Sequence, residues 1–160
     1  MAKISIIMGS QSDLETVKEA VDVLKEFKAD FEVRVLSAHR TPKEVVEYVE
    51  SAPKSGTKVF IAAAGMAAAL AGVVAAHTSL PVIGIPVETK NLKGLDSLLS
   101  TVQMPPGIPV ACMCIGKSGA KNAALFALEV LGVSEQKISA KLLDYKKEMC
   151  RKIKKIKVSL

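Results

Sequence analysis

The chain has 160 residues, 49% of them hydrophobic and 24% charged, which suits one soluble domain with its own core and leaves no room for two. Its 22 Lys and Arg against 16 Asp and Glu give a net charge of +6, which raises nucleic-acid binding as a first reading. The distribution argues against it: residues 1–134 carry 13 basic and 13 acidic side chains, and residues 135–160 carry 9 and 3. With 2 Tyr, 4 Phe and no Trp the body also lacks the rings on which successive bases stack, so no nucleic-acid partner is expected.

The first run, Ile4 to Met8, is apolar and rich in β-branched residues and reads as a strand. The residues before it do not read as a secretory signal's charged region and cleavage site, so no secretory leader is expected. Gly9-Ser10-Gln11-Ser12-Asp13 breaks the run. From about Leu14 to Phe27, Val17, Ala20, Val21 and Leu24 then fall on one helical face. Phe31 to Leu36 alternates with Glu32 and Arg34, the pattern of a strand at a sheet edge. After Ser37-Ala38-His39-Arg40, Thr41 is the expected N-cap and Pro42 the first residue of a helix carrying Val45, Val46, Tyr48 and Val49.

Val59 to Ala62 reads as a third strand, buried on both faces. Gly65 leads into an Ala-rich helix ending near His77. Gly65, Gly72, His77 and Pro81 speak against a membrane span there. Pro81 to Ile85 is a fourth strand, Leu92 to Val102 a helix, Ile108 to Ile115 a fifth strand and Lys121 to Leu131 another helix. From Ser134, an expected N-cap, Ile138, Leu142, Tyr145, Met149, Ile153 and Ile156 recur at three- and four-residue spacing, an amphipathic helix with a basic outer face. The expected organisation is a body over 1–133 and a C-terminal helix over 134–160. Three cysteines, Cys112, Cys114 and Cys150, without framework spacing fit a reducing compartment, so a cytoplasmic protein is expected.

Strands alternating with helices imply a parallel sheet covered on both faces, with ligands bound beyond the carboxyl ends of the strands. Those ends are Gly9–Asp13, Ser37–Pro42 and Ala63–Ala69. The first is a glycine turn with two hydroxyls at a helix N-terminus, suited to a phosphate, and Asp13 is able to accept from ribose hydroxyls. Turn closure and helix capping explain the same residues equally well. The second carries His39, which takes and returns a proton near neutral pH, and Arg40, a fork for phosphate or carboxylate. Two polar loops at neighbouring strand ends favour function over an ordinary exposed turn.

Three other features are set aside. Gly116-Lys117-Ser118 ends like a phosphate-binding loop, but Ala111 stands where its first glycine belongs and the intervening residues are apolar strand. Cys112 and Cys114, at spacing two, read as small core residues on one side of that strand rather than metal ligands. His77, near a helix end, reads as a C-terminal cap or a partner of the helix dipole. His39 is left as the one well-placed acid/base, and the residues by themselves point to proton-transfer chemistry on a phosphorylated sugar derivative.

Gly9-Ser10-x-Ser12-Asp13, Ser37 to Pro42, Leu80 to Gly84, Leu95 to Pro105 and Lys121 to Leu125, in this order, resemble the N5-carboxyaminoimidazole ribonucleotide mutases of purine biosynthesis, over roughly Ile4 to Leu131. The resemblance implies a flavodoxin-like three-layer α/β sandwich with a central parallel sheet. It also implies assembly as a homo-octamer, with the C-terminal helix packed on a neighbouring subunit, and no cofactor, metal or membrane partner. By the same resemblance His39 is the acid/base, Gly9, Ser10, Ser12 and Asp13 hold ribose and phosphate, Arg40 binds on the phosphate side, and Ser37 and Ala38 line the site. Gly65, Met66, Ala67 and Leu70 complete the substrate-binding set, the small residues Ala63, Ala64, Gly65, Ala67 and Ala68 suiting a pocket that retains CO2 while it moves from nitrogen to carbon. The mutases usually carry a histidine at the position of Ala69. Related carboxylases, which add CO2 directly to aminoimidazole ribonucleotide, have alanine there, but they typically carry lysine at Arg40 and differ from Leu95 to Met104. The mutase is the first expectation and the direct carboxylase the alternative.

Overall fold

Apolar residues that alternate faces along each strand set the architecture of this computed structural model, which describes residues 3–158. The elements run β1 (Lys3–Met8), α1 (Leu14–Glu26), β2 (Asp30–Val35), α2 (Pro42–Ser51), β3 (Thr57–Ala64), α3 (Leu70–Ala76), β4 (Val82–Pro86), α4 (Leu95–Val102), β5 (Ala111–Cys112), α5 (Gly116–Gly132) and α6 (Gln136–Lys154). All ladders are parallel, in the order β2-β1-β3-β4-β5. This is the flavodoxin-like arrangement, in which the chain leaves β1 first to one side and then returns to the other.

Side chains on a strand alternate between its faces. Ile4, Ile6 and Met8 of β1, Val59, Ile61 and Ala63 of β3, and Ile83 and Ile85 of β4 therefore enter one core layer, beneath α1 and α5. Ile7, Phe60, Ala62 and Val82 enter the other, with α2 and α3. Both faces are covered, which is why the central strands read as nearly unbroken apolar runs. The exception is Ser5, fully buried on β1. Its hydroxyl bonds that of Tyr48 on α2, and Tyr48 donates to Glu32 Oε1 at 2.7 Å. Glu32 is paired with Lys3 at 2.8 Å and with Arg34 at 3.2 Å, so this polar chain ties α2 to the β2 edge.

Several expectations are corrected. The fifth strand is not Ile108–Ile115: only Ala111 and Cys112 pair with β4, because Pro105, Pro106 and Gly107 turn the chain just before it and Pro109 has no N–H to donate. Cys112 is half-buried and Cys114 exposed, so neither is a core residue. The helix after β5 begins at Gly116 rather than Lys121, and the one after β4 at Leu95 rather than Leu92. Gly94, at φ 87°, makes that second start possible: a Cβ there would meet Ile115 Cγ2 at 2.6 Å and Glu88 Cα at 3.2 Å. The Ala-rich helix is only Leu70–Ala76, since residues 65–69 form a loop with Met66 at φ 60°. Thr41 precedes α2, but its hydroxyl makes no bond to the helix. Ser134 is not an N-cap: its hydroxyl donates to Leu131 O, and Glu135 occupies that position. Ile156 lies beyond the end of α6.

The first half of α6 lies on the body. Leu142 is buried, Ile138 and Tyr145 pack on the α1–α5 core layer, and Tyr145 stacks at a tilt on Phe27 with centroids 5.6 Å apart. No helix among the described residues is long and apolar enough to cross a membrane.

Candidate active site

A cleft of about 680 Å3 opens over the carboxyl ends of β1, β2, β3 and β4. Its first wall is the turn after β1. Ser10 Oγ accepts from the Ser12 N–H at 3.3 Å, and Asp13 accepts from the Ser10 N–H at 3.0 Å, a reciprocal cap that fixes the loop ahead of α1. Gly9 N–H donates to Ala63 O at 3.1 Å, which joins this turn to the end of β3. Burial pushes the Asp13 carboxyl above its ordinary range, and the Ser10 N–H, the Ser12 hydroxyl and the Arg40 charge offset only part of that. Capping and a ligand-facing position thus coexist in the same residues.

The second wall follows β2. Thr41 Oγ1 accepts from the Ser37 N–H at 2.8 Å and donates to Ser37 O at 3.1 Å, which closes the turn around His39. The hydroxyl expected to cap α2 is spent on this turn instead. Arg40 Nη2 donates to Gly9 O at 2.9 Å, and its backbone N–H donates to Ser37 Oγ at 3.2 Å. The guanidinium therefore bridges the two polar loops across 31 residues of sequence. His39, between these fixed points, is exposed to the cleft.

The floor is Ala64, Gly65, Met66, Ala67, Ala68, Ala69 and Leu70, where the alanines and the glycine leave room and Ala69 presents no polar group. All of the residues expected to form a site meet here: Gly9, Ser10, Ser12, Asp13, Ser37, Ala38, His39, Arg40, Gly65, Met66, Ala67 and Leu70. Ala63 does not line the cleft; it is fully buried beneath it. The third wall, Val87, Glu88, Thr89 and Lys90 after β4, was not anticipated. It was open to inference, since β4 reads as an interior strand and its carboxyl end belongs with the others. The features set aside lie elsewhere. Lys117 reaches Glu15 at 3.5 Å on the surface, and His77, the C-terminal cap of α3, faces Glu50 at 3.3 Å at the opposite end of the sheet.

The arrangement, one free imidazole beside an anchored guanidinium and a hydroxyl-lined helix N-terminus, is able to bind a phosphate and move a proton. The family model described as AIR carboxylase matches residues 3–152, nearly the whole described chain. The chain belongs to the AIR carboxylase family. Within it, the chain is 56% identical over 151 residues to the N5-carboxyaminoimidazole ribonucleotide mutase of Pyrococcus abyssi, covering 94% of this chain and 86% of that protein. It is 53% identical over 149 residues to the mutase of Saccharolobus solfataricus, covering 93% of each. Among solved structures, Treponema denticola PurE superposes with a TM-score of 0.87 at 28% identity, covering 96% of this chain and 94% of that one. The AIR carboxylase family fold thus extends over body and C-terminal helix alike.

Proposed function

We propose that the chain converts N5-carboxyaminoimidazole ribonucleotide to 4-carboxyaminoimidazole ribonucleotide, a step of purine biosynthesis. The observation that carries the reading is the convergence of His39, Arg40 and the Ser10–Asp13 turn on one cleft, in a chain 56% identical to a mutase of that name. Ser10, Ser12 and Arg40 hold the phosphate, and Asp13 accepts from the ribose. The N5–carboxylate bond breaks to release CO2 within the cleft, the imidazole C4 forms the new bond to that carbon, and His39 carries the proton from C4 to N5. Bonds and charge balance, and the reading assigns the step no cofactor. The alanine floor supports it, because small side chains leave room for CO2 beside C4.

Direct carboxylation of aminoimidazole ribonucleotide is the second reading, and Ala69 is what favours it. Arg40, the Leu95–Pro105 segment and the mutase names of relatives at 48–56% identity favour the first. Purified protein offered the N-carboxylated nucleotide, and separately the uncarboxylated one with bicarbonate, decides between them. Turnover with the first substrate is expected; turnover only with the second overturns the mutase reading. We also propose that the protein works as a homo-octamer in the cytoplasm, the far half of α6 packing on a neighbouring subunit. Supporting this, Leu95, Leu99, Val102, Met149 and Ile153 are apolar and exposed on one copy.

A further inference from the structure

Two basic side chains, Arg40 and Lys90, line the cleft beside His39, and they are held differently. Arg40 is committed to Gly9 O and to Ser37, on the wall beside the Ser10–Asp13 turn. Lys90 stands on the β4 wall and takes part in no ion pair among the described residues. The chain on either side of it is fixed. Val87 N–H donates to Ala64 O at 2.9 Å and Ser97 Oγ donates to Val87 O at 2.8 Å, tying the segment to β3 and α4. Thr89 Oγ1 donates to Asp96 Oδ1 at 2.8 Å and accepts from the Gly94 N–H at 3.1 Å, closing the loop that carries Lys90. Glu88 also lines this wall, yet it does not pair with Lys90.

We propose that Lys90 binds the carboxylate of the nucleotide, an assignment that rests on the proposed function. A substrate with a phosphate at one end and a carboxylated imidazole at the other needs two cationic stations with a neutral span between them. Arg40 and Lys90, on separate walls across the alanine floor, supply that pattern. Ala69 offers no side-chain donor on the floor, which leaves Lys90 as the basic side chain still available. An ammonium is a point charge with rotatable donors, so it follows a carboxylate from N5 to C4 without demanding one fixed geometry. Because the carboxylate is neutral CO2 between the two bonds, the contact is stronger to substrate and product than to the species between them. Lys90 therefore raises affinity, not rate.

The test is calorimetric binding of 4-carboxyaminoimidazole ribonucleotide and of uncarboxylated aminoimidazole ribonucleotide to wild type, Lys90→Met and Lys90→Arg. The expected result is that Lys90→Met weakens the carboxylated nucleotide about tenfold and the uncarboxylated one by less than about twofold, with Lys90→Arg recovering most of the loss. In turnover, KM should rise in parallel while kcat does not fall. Equal weakening of both nucleotides, or of neither, overturns the assignment. Because the ratio is read by binding, it decides the role of Lys90 separately from turnover. A wild type that binds the carboxylated nucleotide through Lys90 but does not convert the N-carboxylated one overturns only the proposed function.

Discussion

At the scale of single residues the two polar turns divide into groups that are held and one that is free. Ser10, Asp13, Ser37, Arg40 and Thr41 are bonded to one another or to backbone, whereas His39 is exposed between them with room to swing. His39→Asn keeps the turn and removes the proton carrier. It is expected to lower kcat by about 10²–10⁴ while nucleotide affinity changes little, as read by steady-state kinetics alongside calorimetry. Asp13 supplies a pH-dependent prediction. Its folded pKa lies above the unfolded value of about 3.8, so the native state binds more protons than the unfolded one just above that pH. Its contribution to stability is complete at lower pH and falls as pH rises through the raised pKa. Denaturant titrations of wild type and Asp13→Asn between pH 4 and 7 should show the difference moving in favour of the variant as pH rises; a constant difference would contradict the raised pKa.

At the scale of elements the decisive contact is that of α2 with the β2 edge, because α2 starts immediately after the His39 turn. Ser5, Tyr48, Glu32 and Lys3 form that contact, and burial pushes the Tyr48 hydroxyl up to about 12. Tyr48→Phe leaves the fully buried Ser5 hydroxyl without its tyrosine partner and is expected to cost roughly 1–3 kcal/mol at neutral pH by denaturant unfolding. The unfolded phenol ionises near pH 10 and the native one near 12, so wild type should lose stability across that interval. The phenylalanine variant should lack that component. Alternation with Glu32 and Arg34 made β2 legible as an edge, but which helix those charges face depends on a crossover that sequence periodicity does not report.

At the scale of the whole molecule, charge and apolar surface separate along α6. Its first half buries Leu142 and packs the half-buried Tyr145 against the body, while Met149 is 44% and Ile153 70% exposed, in the region where the net charge of +6 is concentrated. Removing residues 146–160 should therefore leave the body folded, with Tm shifted by only a few degrees. It should lower the assembly state in light scattering if the far half packs on a neighbour. An unchanged assembly state would remove α6 from that role, and lost binding to RNA without change of assembly would revive the nucleic-acid reading of the tail.

The amino-acid sequence by itself determined the alternation of strand and helix, the β2 edge and the two polar turns that carry His39 and Asp13. Apolar period, β-branching and turn residues act over a few positions and are visible there. Tertiary structure alone decided that Arg40 reaches back to Gly9, that Thr41 closes the His39 turn instead of capping a helix, and that β5 shortens to two paired residues. It also added the wall bearing Glu88 and Lys90 to the cleft. Each of these follows from strand order and crossover, which bring together residues too far apart in the chain for local pattern to relate.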